Sequence, residues 1–296
     1  MNDPFSNYTL DYSTPVDPAL QAELERIDSE LRSRYGMTSD QAAAGVLDLE
    51  TLRLAMIHPD RGEYGASLPK LGILLAYFQL HSKAAGDLDP RIRHELGLMT
   101  KASDNLMASK FSQELGLGPI QAVLHSYGFY DSDRGGGMWM GKHFGRDGVR
   151  IGDPVGDHSH AATVRQVLRY FLLLEQGKLV SPEASGTMRE ILASPDIPHD
   201  PVKFVQALQG REVRILRKWG SWDDWRHDAA LITGPGRHYI LVGLTHHPRG
   251  DAYLTDLARS VDDVLCRPFP NCAASEGGAP GRRAAGPPRF RDGTID

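Results

Sequence analysis

The chain has 296 residues, with 33 Lys+Arg against 38 Asp+Glu and a net charge of −5. Its 41% hydrophobic and 24% charged residues match an ordinary globular domain and exclude a wholly disordered chain, a coiled coil or a collagen-like fibre. A mildly acidic chain has no general attraction for nucleic acid or anionic lipid. The longest apolar run, Leu71–Phe78, is far short of the ~20 residues that a helix needs to cross a bilayer. Cys266 and Cys272 are too few for a disulfide framework or a four-ligand zinc site; they either pair with each other or remain thiols. At roughly 150 residues per domain the length fits one large domain or two small ones. Met1–Phe5 lacks the basic start and apolar core of a secretory signal, so the expected location is cytoplasmic unless a leader is missing.

Residues 1–16 are polar and aperiodic, an expected extended arm. Leu20, Leu24, Ile27 and Leu31 recur at helical spacing and predict an amphipathic helix over 18–35. Residues 42–49 and 52–58 predict a β-hairpin. An apolar helix is expected over about 67–84, with Pro69 in its first turn, where a missing N–H is harmless. Residues 90–130 predict helical pieces broken at Gly97, Gly116 and Gly128. Residues 131–158 form a Gly- and Asp-rich stretch, read as a long loop, which in a compact chain is more often functional than structural. Helices are expected at 161–175 and 182–193, then strands at 212–218, 229–233 and 238–245, with a turn at Gly234-Pro235-Gly236. An amphipathic helix over 253–265 closes the ordered part. Ala273–Asp296 holds five Gly, three Pro and four Arg and is expected to be a disordered tail. Strands near both ends with helices between them predict an α+β fold: an antiparallel five-stranded sheet built from both termini, plus an all-helical lobe. The expected division is an arm (1–16), a domain over 17–268 and a tail (269–296). Within the domain, an α/β lobe spans 17–60 and 205–268, and a helical lobe spans 61–204.

Three short motifs could carry chemistry. In Ser67-Leu68-Pro69-Lys70, serine and lysine stand one helical turn apart. Serine is a poor nucleophile until a base takes its proton, and a lysine in a dry pocket near other cations can lose its own proton and serve. A helix N-terminus also offers N–H groups to an oxyanion. The alternative is a capping serine and a solvated lysine; the apolar run after Lys70 argues for a buried helix instead. Ser103-Asp104-Asn105 by itself reads as a helix cap before Leu106–Leu115. Lys218-Trp219-Gly220-Ser221 reads as a strand end, or as a charge beside a glycine that lets a ligand approach closely.

In this order, S-x-x-K, S-D-N and K-x-G, the set resembles the class A serine β-lactamase and penicillin-binding protein superfamily, whose third motif is K-T-G. The resemblance runs from about Pro18 to Leu265. It implies the β-lactamase/transpeptidase-like fold, no cofactor, and an acyl-enzyme mechanism. Ser67 would be the nucleophile and Lys70 its base or proton relay. Ser103 would pass a proton to the leaving nitrogen, and Lys218 would fix a substrate carboxylate. The N–H groups of Ser67 and Ser221 would form the oxyanion hole, and Asn105 and Gly220 would contact substrate. Lys70, Lys218 and Arg226 would make a positive site for a small, carboxylate-bearing substrate.

Three departures stand out. Trp219 replaces the hydroxyl residue of the third motif, with Ser221 as a possible substitute. Together with Trp222 and Trp225 it predicts either an aromatic-walled pocket or simple edge-strand packing. The family's carboxylate-binding arginine falls near Arg226-His227, with His227 at the matching place, so binding there would depend on pH. No glutamate stands in the loop before residue 161, where the family holds its deacylating one; Asp147, Asp153 and Asp157 are the candidates. His158-Ser159-His160 offers a metal only if a third ligand converges, and Gly135-Gly136-Gly137 lacks the context of a phosphate loop. The expected function is β-lactamase-like hydrolysis of a β-lactam or related cyclic amide through Ser67. The alternatives are a penicillin-binding-protein-like carboxypeptidase or esterase with slow deacylation, and a non-catalytic ligand-binding relative.

Overall fold

The computed structural model describes residues 4–81, 86–145 and 148–266. Asp147, Cys272 and the tail over 269–296 lie outside the described residues. A short helix α1 (Pro4–Asn7) leads to α2 (Pro18–Tyr35), where Asp17 caps the N-terminus and a left-handed Gly36 ends it. Strands β1 (Ala42–Asp48) and β2 (Arg53–Ile57) form the expected hairpin, followed by β3 (Glu63–Tyr64) and the central helix α3 (Lys70–Leu80). Helices α4 (Pro90–Thr100), α5 (Asn105–Leu115) and α6 (Leu117–Ser126) follow. Then come β4 (Tyr130–Asp131), β5 (Gly136–Gly137), β6 (Trp139–Met140) and β7 (His160–Ala162). Helices α7 (Val164–Glu175), α8 (Pro182–Ala193) and α9 (Phe204–Ala207) precede β8 (Arg214–Trp222), β9 (Trp225–Gly234), β10 (Arg237–His246) and α10 (Gly250–Cys266).

The main sheet has the order β2-β1-β10-β9-β8, antiparallel throughout. It is the five-stranded sheet expected from the two ends of the sequence. Alternation divides its faces as the strand period of two requires. Leu47, Leu216, Leu231 and Val242 face a core shared with α3 and α7. Val46, Ala230, Ile232 and Leu241 face α2 and α10. At Gly45 an added Cβ would lie 2.5 Å from Val164 and 2.8 Å from Leu168, so the missing side chain lets α7 lie directly on the sheet. Helix α3 is buried from Lys70 through Phe78, consistent with an apolar surface on every side. Among the described residues no helix is long and apolar enough to cross a membrane.

Four expectations change. Gly97 lies inside α4 and breaks nothing; an added Cβ there would meet Ile197 at 2.7 Å, so the glycine serves close packing. The stretch 131–158 carries short strands, and its three consecutive glycines sit at and beside β5. The N-terminal arm is docked: Leu10 is buried, and Gln176 donates to the carbonyls of Phe5 and Tyr8. Helix α3 begins at Lys70, three residues later than expected, because residues 65–72 are first closed by tighter i→i+3 bonds.

Candidate active site

Ser67 lies in the turn that feeds α3. Leu68 N donates to Gly65 O at 2.9 Å and Lys70 N to Ser67 O at 3.3 Å. Ala66, immediately before, has φ +47°, a conformation that disfavours a side chain and persists only where its surroundings impose it. Ser67 is half-buried, whereas Lys70, the first residue of α3, is fully buried.

The Lys70 ammonium donates to Ser103 O (2.6 Å), Asn105 Oδ1 (2.8 Å) and Ser103 Oγ (3.3 Å), and lies 4.4 Å from the centroid of the Phe144 ring. These three acceptors use its three N–H groups, and none is a carboxylate. Burial pushes the ammonium's pKa down to about 7, against a weaker opposing pull from Asp104. Half of the lysine is then neutral near physiological pH.

Ser103-Asp104-Asn105 serves as a helix cap and also lies against the two buried lysines. Asp104 caps α5 by accepting from Met107 N. Ser103, at φ +61°, is turned so that its hydroxyl faces the lysines. Lys218 Nζ donates to Ser103 Oγ at 2.9 Å and to Trp219 O at 2.7 Å. Lys218 is wholly buried, and desolvation, then Lys70 and Arg217, hold its pKa well below the usual lysine range. Two buried lysines thus share one serine hydroxyl, an arrangement that disfavours two ammonium charges together.

The edge strand β8 closes the site. A Cβ added at Gly220 would lie 3.0 Å from Ser67 N and 3.2 Å from Gly65 O, so this glycine lets the strand touch the Ser67 turn. The three tryptophans have different surroundings. Trp219 Nε1 donates to Lys101 O at 3.3 Å and ties the strand to the segment before Ser103. Trp222 is 66% exposed. Trp225 stacks on His246 at 3.9 Å and tilts against Tyr64, on β3 just before the Ser67 turn.

Other predicted residues do not converge here. His227 is fully buried: its Nε2 donates to Tyr64 O at 2.7 Å and its Nδ1 accepts from Thr245 N at 3.3 Å. Burial pushes its pKa down to about 3, so the ring is neutral, and the expected pH-dependent carboxylate site at His227 is not met. Arg226 turns to Asp251 (3.7 Å) and to the carbonyls of Asp223 and Trp225. Asp153 is absorbed by its own turn, accepting from the N–H groups of Val155, Gly156 and His158 and from Tyr130 OH. Asp157 is exposed and pairs with Arg150. His160 donates through Nε2 to Lys142 O. Among the described residues no group of three or more His, Cys, Asp or Glu is placed to hold a metal.

Two residues at the site escaped sequence reasoning. Phe144, over Lys70, follows His143, and no periodicity marks it. Lys203, fully buried, donates to Gly220 O, Ser221 Oγ and His227 O. It belongs to a stretch of the sequence with no motif.

The family model described as "Beta-lactamase enzyme family" matches residues 89–265. The match includes Ser103, Asn105 and Lys218 and begins after Ser67 and Lys70. No curated protein matches the chain. Among solved structures, a β-lactamase from Sphaerobacter thermophilus is 16% identical, with a TM-score of 0.67 over 84% of this chain and 98% of that one. A class A β-lactamase from Mycobacterium abscessus is 17% identical, with a TM-score of 0.66 over 83% and 99%. PBP-A is 19% identical, with a TM-score of 0.63 over 86% and 97%. A mutant of PBP-A has been solved as an acyl-enzyme complex with penicillin G.

Proposed function

The chain belongs to the β-lactamase enzyme family, and from that premise we propose that it is a serine acyl-transfer enzyme that acylates Ser67 and releases the acyl group slowly. The observation that carries the acylation step is the single hydroxyl of Ser103 held between Lys70 and Lys218. With a pKa of about 7, Lys70 takes the Ser67 proton as the hydroxyl attacks the substrate carbonyl. The N–H groups of Ser67 and Ser221 receive the developing oxyanion. The proton passes from Lys70 through Ser103 to the leaving nitrogen or oxygen, and Lys218 keeps that hydroxyl acidic. Asn105 Oδ1 is occupied by Lys70, which leaves its amide N–H groups to donate to the substrate's acyl side.

Slow release is favoured over rapid hydrolysis by what surrounds Lys70. The Phe144 ring covers the ammonium. Of the loop aspartates among the described residues that could activate a water, Asp153 is held in its own turn and Asp157 pairs with Arg150. Among the described residues no carboxylate is a hydrogen-bond partner of Lys70, so on this reading the ester outlives the attack that formed it. The substrate is a small β-lactam, amide or ester. Arg226 and His227 give little support to a carboxylate on it.

The test is intact-mass spectrometry during incubation with a penicillin and with a chromogenic ester. An adduct on Ser67 that persists for minutes supports this reading. Turnover without accumulation replaces it with rapid hydrolysis. Neither adduct nor turnover, with Ser67→Ala indistinguishable from the parent, removes both and leaves a binding protein.

A further inference from the structure

Strand β8 is an edge strand, and the end of an edge strand is where a sheet yields most easily. Yet Gly220 on β8 is packed so closely against Ser67 that an added methyl group, 3.0 Å from Ser67 N, would need its neighbours to give way. Something must hold this strand end in place.

The holding group lies on the side of the strand away from Ser103. Residues 200–204 cross β8 and β9 as a strap, and a buried ion pair grips them. Arg217 bonds Asp228 at 2.7 Å and donates to Asp200 O (2.8 Å) and Val202 O (3.1 Å), while Asp228 accepts from Phe204 N (3.1 Å). Between those grips, Lys203 has φ +56° and ψ −122°, a backbone conformation that a non-glycine residue adopts only under constraint. The strained backbone delivers a side chain that is 1% exposed. Its ammonium donates to Gly220 O (3.0 Å), Ser221 Oγ (2.8 Å) and His227 O (3.1 Å), with Asp251 at 3.5 Å as its nearest counter-charge. All three N–H groups are spent on strand oxygens, one on Ser221, the expected oxyanion donor, and one on Gly220 just before it. Because Ser221 Oγ accepts from Lys203, its own hydrogen is free to point outward.

We infer that Lys203 is a positioning residue of the acyl-transfer site, holding the Gly220–Ser221 segment at the distance from Ser67 that acylation requires. Lys203 touches no reacting atom. It acts by fixing the Ser221 N–H, and a misplacement of about 1 Å in such a donor can lower a rate about 100-fold. The inference rests on the acyl-transfer reading of Ser67.

Its test compares the parent with Lys203→Met in single-turnover acylation by a chromogenic ester. It also compares the affinity of a boronic acid, which forms a tetrahedral adduct on a serine hydroxyl. Acylation and boronate affinity should fall by a common factor, about 30- to 100-fold. KM should change less than threefold, and the pH midpoint of acylation should stay where Lys70 sets it. A general loosening of the fold would instead move KM and the midpoint as well. Should Lys203→Met fail to fold, Lys203→Gln, whose amide still donates to one acceptor, is expected to give an intermediate loss in the same two quantities. Acylation within threefold of the parent, or a loss not shared with the boronate, overturns the inference and leaves the function standing. A parent that never acylates removes the function, and the inference with it.

Discussion

The neutral lysine at position 70 makes the sharpest prediction. Its pKa falls from 10.5 to about 7. At about 1.4 kcal/mol per tenfold change in proton affinity, burial therefore favours the neutral amine by about 5 kcal/mol. An ordinary lysine is neutral in roughly one molecule in 3,000 at pH 7, whereas this one is neutral in about half. If Lys70 is the base, single-turnover acylation of Ser67 should rise about tenfold per pH unit below 7 and level off above it. The active form is the deprotonated one, so activity is lost as pH falls. Lys70→Arg should abolish the step, a loss of about 1,000-fold or more, because guanidinium stays charged. The assay is chromophore release from an aryl ester, or covalent labelling by a fluorescent penicillin, between pH 5 and 9. A flat profile, a midpoint above 9, or Lys70→Arg acylating within tenfold of the parent would refute the base assignment.

Four further outcomes follow from the same geometry. Lys70 and Lys218 both have pKa values lowered by burial, so the unfolded chain binds more protons between about pH 7 and 10.5 and stability rises with pH across that window. Lys70→Met should accordingly be more stable than the parent at pH 6, by about 1–3 kcal/mol, with the gap narrowing toward pH 9 in chemical denaturation. Gly220→Ala puts a methyl 3.0 Å from Ser67 N and 3.2 Å from Gly65 O; acylation should fall about 100-fold, and a loss under threefold would show that the strand does not bear on Ser67. Phe144→Ala wets Lys70, so the pH midpoint of acylation should move above 7 and the acyl-enzyme should decay faster in time-resolved mass spectrometry. Asp153→Asn removes charge from a carboxylate that accepts three backbone N–H groups. It should cost about 1–3 kcal/mol at neutral pH and leave deacylation unchanged, whereas slower deacylation would restore Asp153 as the water base. Burial pushes the pKa of Asp153 up, but its hydrogen bonds together outweigh that and hold it below the usual range, so that deficit should shrink as pH falls through the acidic range where the parent's carboxylate protonates.

Much of this protein is written locally. The 3.6-residue spacing of Leu20, Leu24, Ile27 and Leu31 determined α2, and the apolar run after Lys70 determined a buried α3. Short apolar runs near the two ends, bounded by turn residues, marked the sheet's strands. The motifs at Ser67, Ser103 and Lys218 were legible through their order along the chain, which carries the family resemblance; taken singly, each reads as a cap or a strand end.

What the sequence left open depends on where side chains point after the chain has closed on itself. Arg226 read as part of a positive site and His227 as a pH-dependent carboxylate binder; in the folded chain His227 is neutral beneath Tyr64 and Arg226 turns to Asp251. Asp153 and Asp157 differ in nothing a sequence records, yet one is locked by its own turn and the other lies on the surface. Phe144 reaches Lys70 across 74 positions and Lys203 reaches Gly220 across 17. No period links such pairs, because desolvation and hydrogen-bond direction exist only once packing has chosen which groups water may reach. The sequence determined which residues the proposed site draws on; the tertiary structure decided which lysines are dry and which groups pack on the strand beside Ser67.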